Sequence, residues 1–184
     1  MNRVYILDVR PLLNEEVYRY YYKRVGEARQ KKADKLISPI SKARSIGVGA
    51  VLRFAVEDCT DYNFDCLSFY EDENGKPKVL DDIFYFSLSH SGNYAVCAIS
   101  DTPIGVDIEE DKELPERIIK RFANDVTEWT KRESKGKLTG NGFFDNTPDK
   151  YIYTHKKTDG MLITVCSDKE TTDFLYYYLP YPCN

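Results

Sequence analysis

The chain has 184 residues, 42% of them hydrophobic and 30% charged, with a net charge of −4. That length suits one domain or two small lobes sharing a core, and the composition is ordinary for a soluble globular protein. No run approaches the roughly 18 apolar residues of a membrane span, the start Met1–Asp8 does not read as a secretory signal, and an aromatic content of 14% argues against disorder.

Residues 3–9 read as a first strand, closed by Pro11. Asn14 before Glu15 and Glu16 predicts a helix start, because acids suit the first turn. Val17, Tyr21, Val25 and Ala28 follow at helical spacing, one amphipathic helix broken by Ser38-Pro39. A second helix carries Ala43, Ile46, Ala50 and Phe54, and its Gly47 and Gly49 imply close packing against a neighbour. Strands are predicted at 67–71, 84–89, 94–100 and 104–109, with Asn74-Gly75 a hairpin turn. Pro115 opens a helix whose inner face carries Ile118, Ile119, Phe122 and Val126. Residues 129–138 read as helix, ended by Thr139-Gly140-Asn141-Gly142, and strands near 151–154, 161–166 and 174–179 complete the chain. The segments 94–101 and 162–168 are weakly alike, which hints at two related halves.

Five cysteines (Cys59, Cys66, Cys97, Cys166, Cys183) form no C-x-x-C pair, and the two histidines are not near them. Neither a disulfide framework nor a zinc site is expected; a reduced cytoplasmic compartment is. Charge is uneven: residues 1–53 carry 12 Lys/Arg against 5 Asp/Glu, and the remainder is acidic. A basic first third fits a polyanionic or acidic partner, or a solvated helix face. No RNA-binding or zinc-finger pattern accompanies it, so nucleic acid is not expected.

Asp107 and Glu109 stand two apart on a predicted strand, so both carboxylates share a face. A divalent cation would relieve their repulsion, and oxygen ligands suit Mg²⁺; a pair of exposed acids at a strand end fits as well. Glu133 and Lys137, four apart on a helix, form either a surface ion pair or an acid and a phosphate-binding cation. Ser87-Leu88-Ser89-His90-Ser91-Gly92 places hydroxyls and a histidine at a strand end, where either binding groups or a plain turn belong; a Ser nucleophile there needs a His–acid pair. Asn74-Gly75-Lys76-Pro77 presents a cation beside a rigid turn.

The order of these pieces is more telling than any one. Gly75-Lys76-Pro77, then Phe86-Ser87-Leu88-Ser89-His90-Ser91, then Gly105-Val106-Asp107-Ile108-Glu109, then Trp129 through Glu133-Ser134 to Lys137 resembles the 4′-phosphopantetheinyl transferases of the surfactin-synthetase-activating type. The resemblance reaches upstream to Arg44-Ser45 and the basic stretch Arg29–Lys32, covers most of residues 1–142 and is diffuse beyond.

It implies an α/β (α+β) fold of two similar lobes, each a small antiparallel sheet on a long helix. Residues 1–102 and 103–184 would be the lobes, with the site between them. It implies transfer of the phosphopantetheine arm of coenzyme A to a serine of an apo acyl or peptidyl carrier protein, with Mg²⁺ (or Mn²⁺), by a cytoplasmic monomer that uses no membrane. On the same ground Asp107, Glu109 and Glu133 match the metal-binding acids, and Glu133 is also the general base, directly or through water. Lys137 matches the lysine at the coenzyme A phosphates, and Ser89 and His90 match the pair at the 3′-phosphate. Arg29, Lys32, Arg44 and Ser45 match phosphate and ribose contacts, and Lys76 and Pro77 those around the adenine. Asp107, Glu133, Lys137 and His90 form the catalytic set.

The chain departs from that pattern in two places. Only six residues separate Arg121-Phe122 from Trp129, where the family carries a longer stretch. A compact member, an omitted loop or a degenerate site each fit this. Lys135 and Gly136 stand where apolar or aromatic residues are usual, and Gly136, costing about 1 kcal/mol in a helix, is expected to loosen the turn that fixes Lys137. Competing activities are a non-catalytic coenzyme A or nucleotide binder on the same scaffold and a Mg²⁺-dependent phosphoester hydrolase.

Overall fold

The computed structural model describes residues 1–119 and 121–179. Cys183 lies outside them; Cys59, Cys66, Cys97 and Cys166 are free thiols. No helix among the described residues is long and apolar enough to cross a membrane.

The first strand, β1 (Asn2–Asp8), is apolar because both its faces are covered. Tyr5 and Leu7 face one core, together with Ile46, Val51 and Ala55 of a long helix; Val4 and Ile6 face a second. Asn14 caps α1 (Glu15–Tyr22) by accepting from the amides of Glu16 and Val17, as the sequence predicts. The single helix expected through residue 37 is instead two. Gln30 Nε2 donates to the carbonyls of Tyr22 (2.7 Å) and Val25 (3.2 Å), which closes the first piece, and α2 (Glu27–Asp34) starts afresh from Gly26. Val17, Tyr21 and Val25 are buried as expected, while Ala28 is exposed.

Pro39 begins α3 (Pro39–Cys59). Its Gly47 and Gly49 are close-approach positions: a Cβ on Gly47 would stand 2.6 Å from Val9 Cγ1, and one on Gly49 2.6 Å from Val25 Cγ1. A hairpin of β2 (Phe69–Glu71) and β3 (Pro77–Val79) turns at Gly75, whose φ of 78° suits glycine.

β4 (Tyr85–Ser91), β5 (Tyr94–Ser100), β1 and β9 (Asp173–Tyr177) form a four-stranded sheet in the order β4-β5-β1-β9, with β9 parallel to β1. β6 (Gly105–Glu110), β8 (Met161–Ser167) and β7 (Ile152–Thr158) form a second, antiparallel sheet. The two sheets pack face to face through Val4, Ile6, Val96, Val106, Ile108, Ile163 and Val165. α3 covers the outer face of the first sheet with α1 and α2 packed against it, and α5 (Val126–Thr139) packs on β6 and β8. This is a mixed α/β architecture of helices and small sheets that are antiparallel except where β9 joins β1.

The helix expected from Pro115 through Val126 is corrected. α4 (Glu116–Ile119) is four residues long and Ile119 is exposed. A new start overrides it: Asp125 accepts from the Glu128 amide at 2.8 Å while Glu128 accepts from the Asn124 amide at 2.8 Å, a reciprocal cap that opens α5.

Candidate active site

β4 and β6 belong to different sheets but meet along a seam, and serines at alternate positions of β4 bridge it. Ser87 Oγ accepts from the Val106 amide at 3.0 Å. Ser89 Oγ donates to Asp107 Oδ1 at 2.9 Å, and Ser91 Oγ donates to Glu109 Oε2 at 2.8 Å. From α5, Lys137 Nζ donates to Asp107 Oδ1 at 2.6 Å and to Ser89 Oγ at 2.9 Å, closing a triangle. The carboxylate of Asp107 is buried, with 4% of its side chain exposed, and its Oδ2 has no hydrogen-bond partner.

A cleft of about 390 Å³ opens over this seam. Arg29, Lys32, Pro77, Ser89, His90, Asp107, Glu109, Trp129, Glu133 and Lys137 line it. Two hollows adjoin it. Arg44 lines one with Ser91, Glu109 and Trp129, and Lys76 lines the other with Pro77, Glu133 and Lys137. Ser45 is buried in α3 and is not among the side chains lining the central cleft. Every other residue the sequence singled out therefore sits on the central cleft or on a hollow that shares a wall with it. Ser91 is named in the sequence only as part of its motif; the structure gives it a role of its own, the bond to Glu109, which its period-two spacing from Ser87 and Ser89 allows. Sequence reasoning passed over Trp129 as a wall.

Charge in the cleft is arranged by sign. Burial raises the Glu109 carboxyl above the ordinary range, and the like charge of Asp107 raises it further, against the Ser91 bond and Lys137. Burial and then Asp107 raise Glu133 in the same direction. His90 is lowered by desolvation and by the positive charges of Arg44, Lys137 and Arg29, and among the described residues it forms no ion pair with an acid. Burial pushes Lys76 down to about 8, and its ammonium donates to the Leu138 carbonyl at 3.1 Å. Lys32 is paired with Glu71.

Among the described residues no three His, Cys, Asp or Glu side chains converge into a ready-made metal cage. Asp107, Glu109 and Glu133 share one cleft, with Lys137 holding one oxygen of Asp107 and Ser91 one of Glu109. The donor set fits a hard divalent cation nonetheless: an unpartnered, buried carboxylate oxygen stands among two carboxyls whose ionisation its own charge opposes.

Fold and cleft together define a mixed α/β protein whose cleft holds one buried acid, two half-buried acids and the cations Arg29, Lys32 and Lys137. No protein-family model matches the chain. It is 27% identical over 169 residues to the 4′-phosphopantetheinyl transferase gsp of Aneurinibacillus migulanus, covering 90% of this chain and 70% of that one. It is 33% identical over 120 residues to psf-1 of Bacillus pumilus, 54% and 52% of the two chains, and 28% identical over 136 residues to Sfp of Bacillus subtilis (strain 168), 73% and 60%; both carry the same enzyme name. Several curated 4′-phosphopantetheinyl transferases of the Sfp type thus resemble this chain at 27–33% identity, which supports that superfamily and its surfactin-activating type. The chain spans from about half to about 70% of the length of these relatives.

Proposed function

We propose that this chain transfers the 4′-phosphopantetheine group of coenzyme A to a serine of an apo acyl or peptidyl carrier protein, releasing adenosine 3′,5′-bisphosphate. The observation that carries the reading is the Lys137–Asp107–Ser89 triangle, set in a cleft that also holds Glu109, Glu133, His90 and Arg29. The carrier serine oxygen attacks the pyrophosphate phosphorus bearing the pantetheine arm. Its proton passes to Glu133, directly or through water, and the bridging oxygen leaves with the nucleotide. A carboxyl with a raised pKa suits a base working near neutrality.

Lys137 balances negative charge that grows on the pyrophosphate oxygens, and an ammonium already fixed needs no reorganisation as that charge develops. Arg29, Lys32, Arg44, Ser89 and His90 receive the nucleotide phosphates, and Lys76 and Pro77 flank the adenine; Ser45, buried in α3 and off the cleft, is not given the ribose-phosphate contact the resemblance implies. Asp107, Glu109 and Glu133 would hold Mg²⁺ (or Mn²⁺), which supplies further neutralisation of the pyrophosphate. The same reading divides the chain into lobes 1–102 and 103–184, with β9 lent back to the first sheet, and places a monomer in the cytoplasm.

Intact-mass analysis of a panel of apo carriers incubated with coenzyme A, Mg²⁺ and this chain tests the reading. Gain of one phosphopantetheine mass on a carrier supports it. Free phosphopantetheine means hydrolysis, and tight coenzyme A binding without turnover means a binder; either overturns it.

A further inference from the structure

Beyond Thr139 the backbone doubles back along α5. Gly140 closes the helix with φ 79°, and its amide reaches the Gly136 carbonyl at 2.9 Å; the Gly142 amide reaches the same carbonyl at 3.3 Å. The return passes so close that a Cβ on Gly136 would stand 2.2 Å from the Gly142 carbonyl oxygen. The glycine expected to loosen this turn is therefore what lets a second segment lie against it.

Side chains fasten the return at three more points. Thr139 Oγ1 donates to Asp145 Oδ2 at 2.7 Å, and Asp145 Oδ1 accepts from the Thr147 amide at 2.9 Å. Lys135, 9% exposed, donates to the Thr147 carbonyl at 2.5 Å. Phe143 packs on Trp129, ring centroids 4.7 Å apart, and Trp129 is a wall of the central cleft. Desolvation alone would raise the Asp145 carboxyl, but the bonds from Thr139 and Thr147 and the charge of Lys135 hold it at about 2.

We propose that residues 140–147 are a brace that fixes the last turn of α5, with Asp145 a positioning residue for Lys137. The catalytic part of this proposal rests on the transferase reading above. The last helical turn is where carbonyls lack partners inside the helix and where fraying begins. Gly136 and Thr139, two of the α5 residues the brace grips, flank Lys137, whose ammonium must reach Asp107 and Ser89 together. Gly140 and Gly142 also line the hollow that holds Glu133 and Lys137, so the brace is itself part of the wall. An ammonium on a loosened turn must be placed anew in each turnover, and that loss falls on the chemical step more than on coenzyme A binding.

The experiment compares Asp145→Ala, Asp145→Asn and Gly136→Ala with the unaltered chain, reading kcat and KM for coenzyme A together with amide hydrogen exchange over residues 135–139. Asp145→Ala is expected to lower kcat about tenfold with KM changed less than about threefold, and to speed exchange of the 136–139 amides about tenfold. Asp145→Asn, which keeps an acceptor oxygen, restores most of both. Gly136→Ala, which drives the 142 carbonyl away, reproduces both effects through a different residue and decides the matter if Asp145→Ala does not fold. Unchanged kcat and exchange in Asp145→Ala, a change in KM alone, or Asp145→Asn as poor as Asp145→Ala each overturn the brace. If the unaltered chain modifies no carrier, the transferase reading fails by itself. The exchange comparison then still decides the brace, with unchanged protection in both Asp145→Ala and Gly136→Ala overturning it.

Discussion

Ser91 donates to Glu109 at 2.8 Å one strand step beyond the bond from Ser89 to Asp107, so each acid of the β6 pair is held by its own serine from β4. The Ser91 bond favours the charged form of Glu109, against burial and Asp107, which oppose it. Ser91→Ala removes that support. The Glu109 carboxyl then rises further, and the acid limb of the kcat/KM profile moves to higher pH. Ser91→Thr, which keeps the hydroxyl, leaves the limb in place. A pH profile of the two variants reads this directly.

Lys137 and Asp107 are unequal partners. Lys137 keeps 29% of its side chain exposed and can turn to water when Asp107 is lost, whereas Asp107, 4% exposed, cannot. Lys137→Ala should therefore cost about 2 kcal/mol or more of stability, the penalty of a stranded buried carboxylate, and more than Asp107→Ala does. Urea unfolding of both variants and the double variant checks the asymmetry. On the proposed transfer reading, Asp107→Ala is expected to abolish turnover in the transfer assay while coenzyme A affinity stays within about tenfold, because that reading gives this acid to the reacting pyrophosphate rather than to nucleotide recognition.

Mg²⁺ is expected to raise the melting temperature of the chain without substrate, and to raise it more at pH 7 than at pH 5. Glu109 and Glu133 are both raised, chiefly by burial and then by Asp107, so they hold their protons to higher pH than ordinary carboxyls and become better ligands as they lose them. The Glu109→Gln/Glu133→Gln double variant loses the shift and its pH dependence. A Mg²⁺ shift that survives in the double variant would move the ion elsewhere on the protein.

Much of this arrangement could be read from local pattern. Alternation along β4 and the continuous apolar runs of β1 and β5 marked the strands, and the i, i+2 and i, i+4 spacings put Asp107 with Glu109 and Glu133 with Lys137. What could not be read was non-local. The apolar spacing of Val17, Tyr21 and Val25 runs on unbroken because Val25 is needed against Gly49, not because one helix continues. The parallel pairing of β9 with β1 joins residues far apart in the chain, and nothing in residues 173–177 announces their partner. Gly136 carried only its propensity cost in the sequence; the backbone that fills its missing side chain comes from Gly142. The Asp125–Glu128 pair is a local pattern too, and in the structure its cap prevails over the apolar spacing from Ile118 to Val126.

Lys76 should impose a basic limit on nucleotide binding. Its pKa is pushed down to about 8, chiefly by burial, so the ammonium loses its proton near that pH instead of near the ordinary 10.5. Coenzyme A affinity, measured by calorimetry, is expected to weaken as pH rises from 7 to 9, and Lys76→Arg, whose guanidinium stays charged, should flatten the dependence.

Gly105 couples the fold to the site most tightly. A Cβ there would stand 1.9 Å from the Ser134 carbonyl oxygen and 2.7 Å from the Leu138 amide nitrogen, both of them backbone atoms that no rotamer change can clear. Gly105→Ala must push α5 away from β6, at a cost of about 3 kcal/mol. Gly105 lies two residues before Asp107, and Ser134 directly follows Glu133, so the same displacement separates the acids that face each other across the cleft. The variant should lose stability and transfer together. Gly26→Ala is the matched control, since its backbone is extended with φ −62° and a Cβ there meets nothing within 4 Å. Loss of transfer in Gly105→Ala exceeding what its unfolded fraction accounts for would show that the helix–strand spacing itself sets the distance between the two sides of the site.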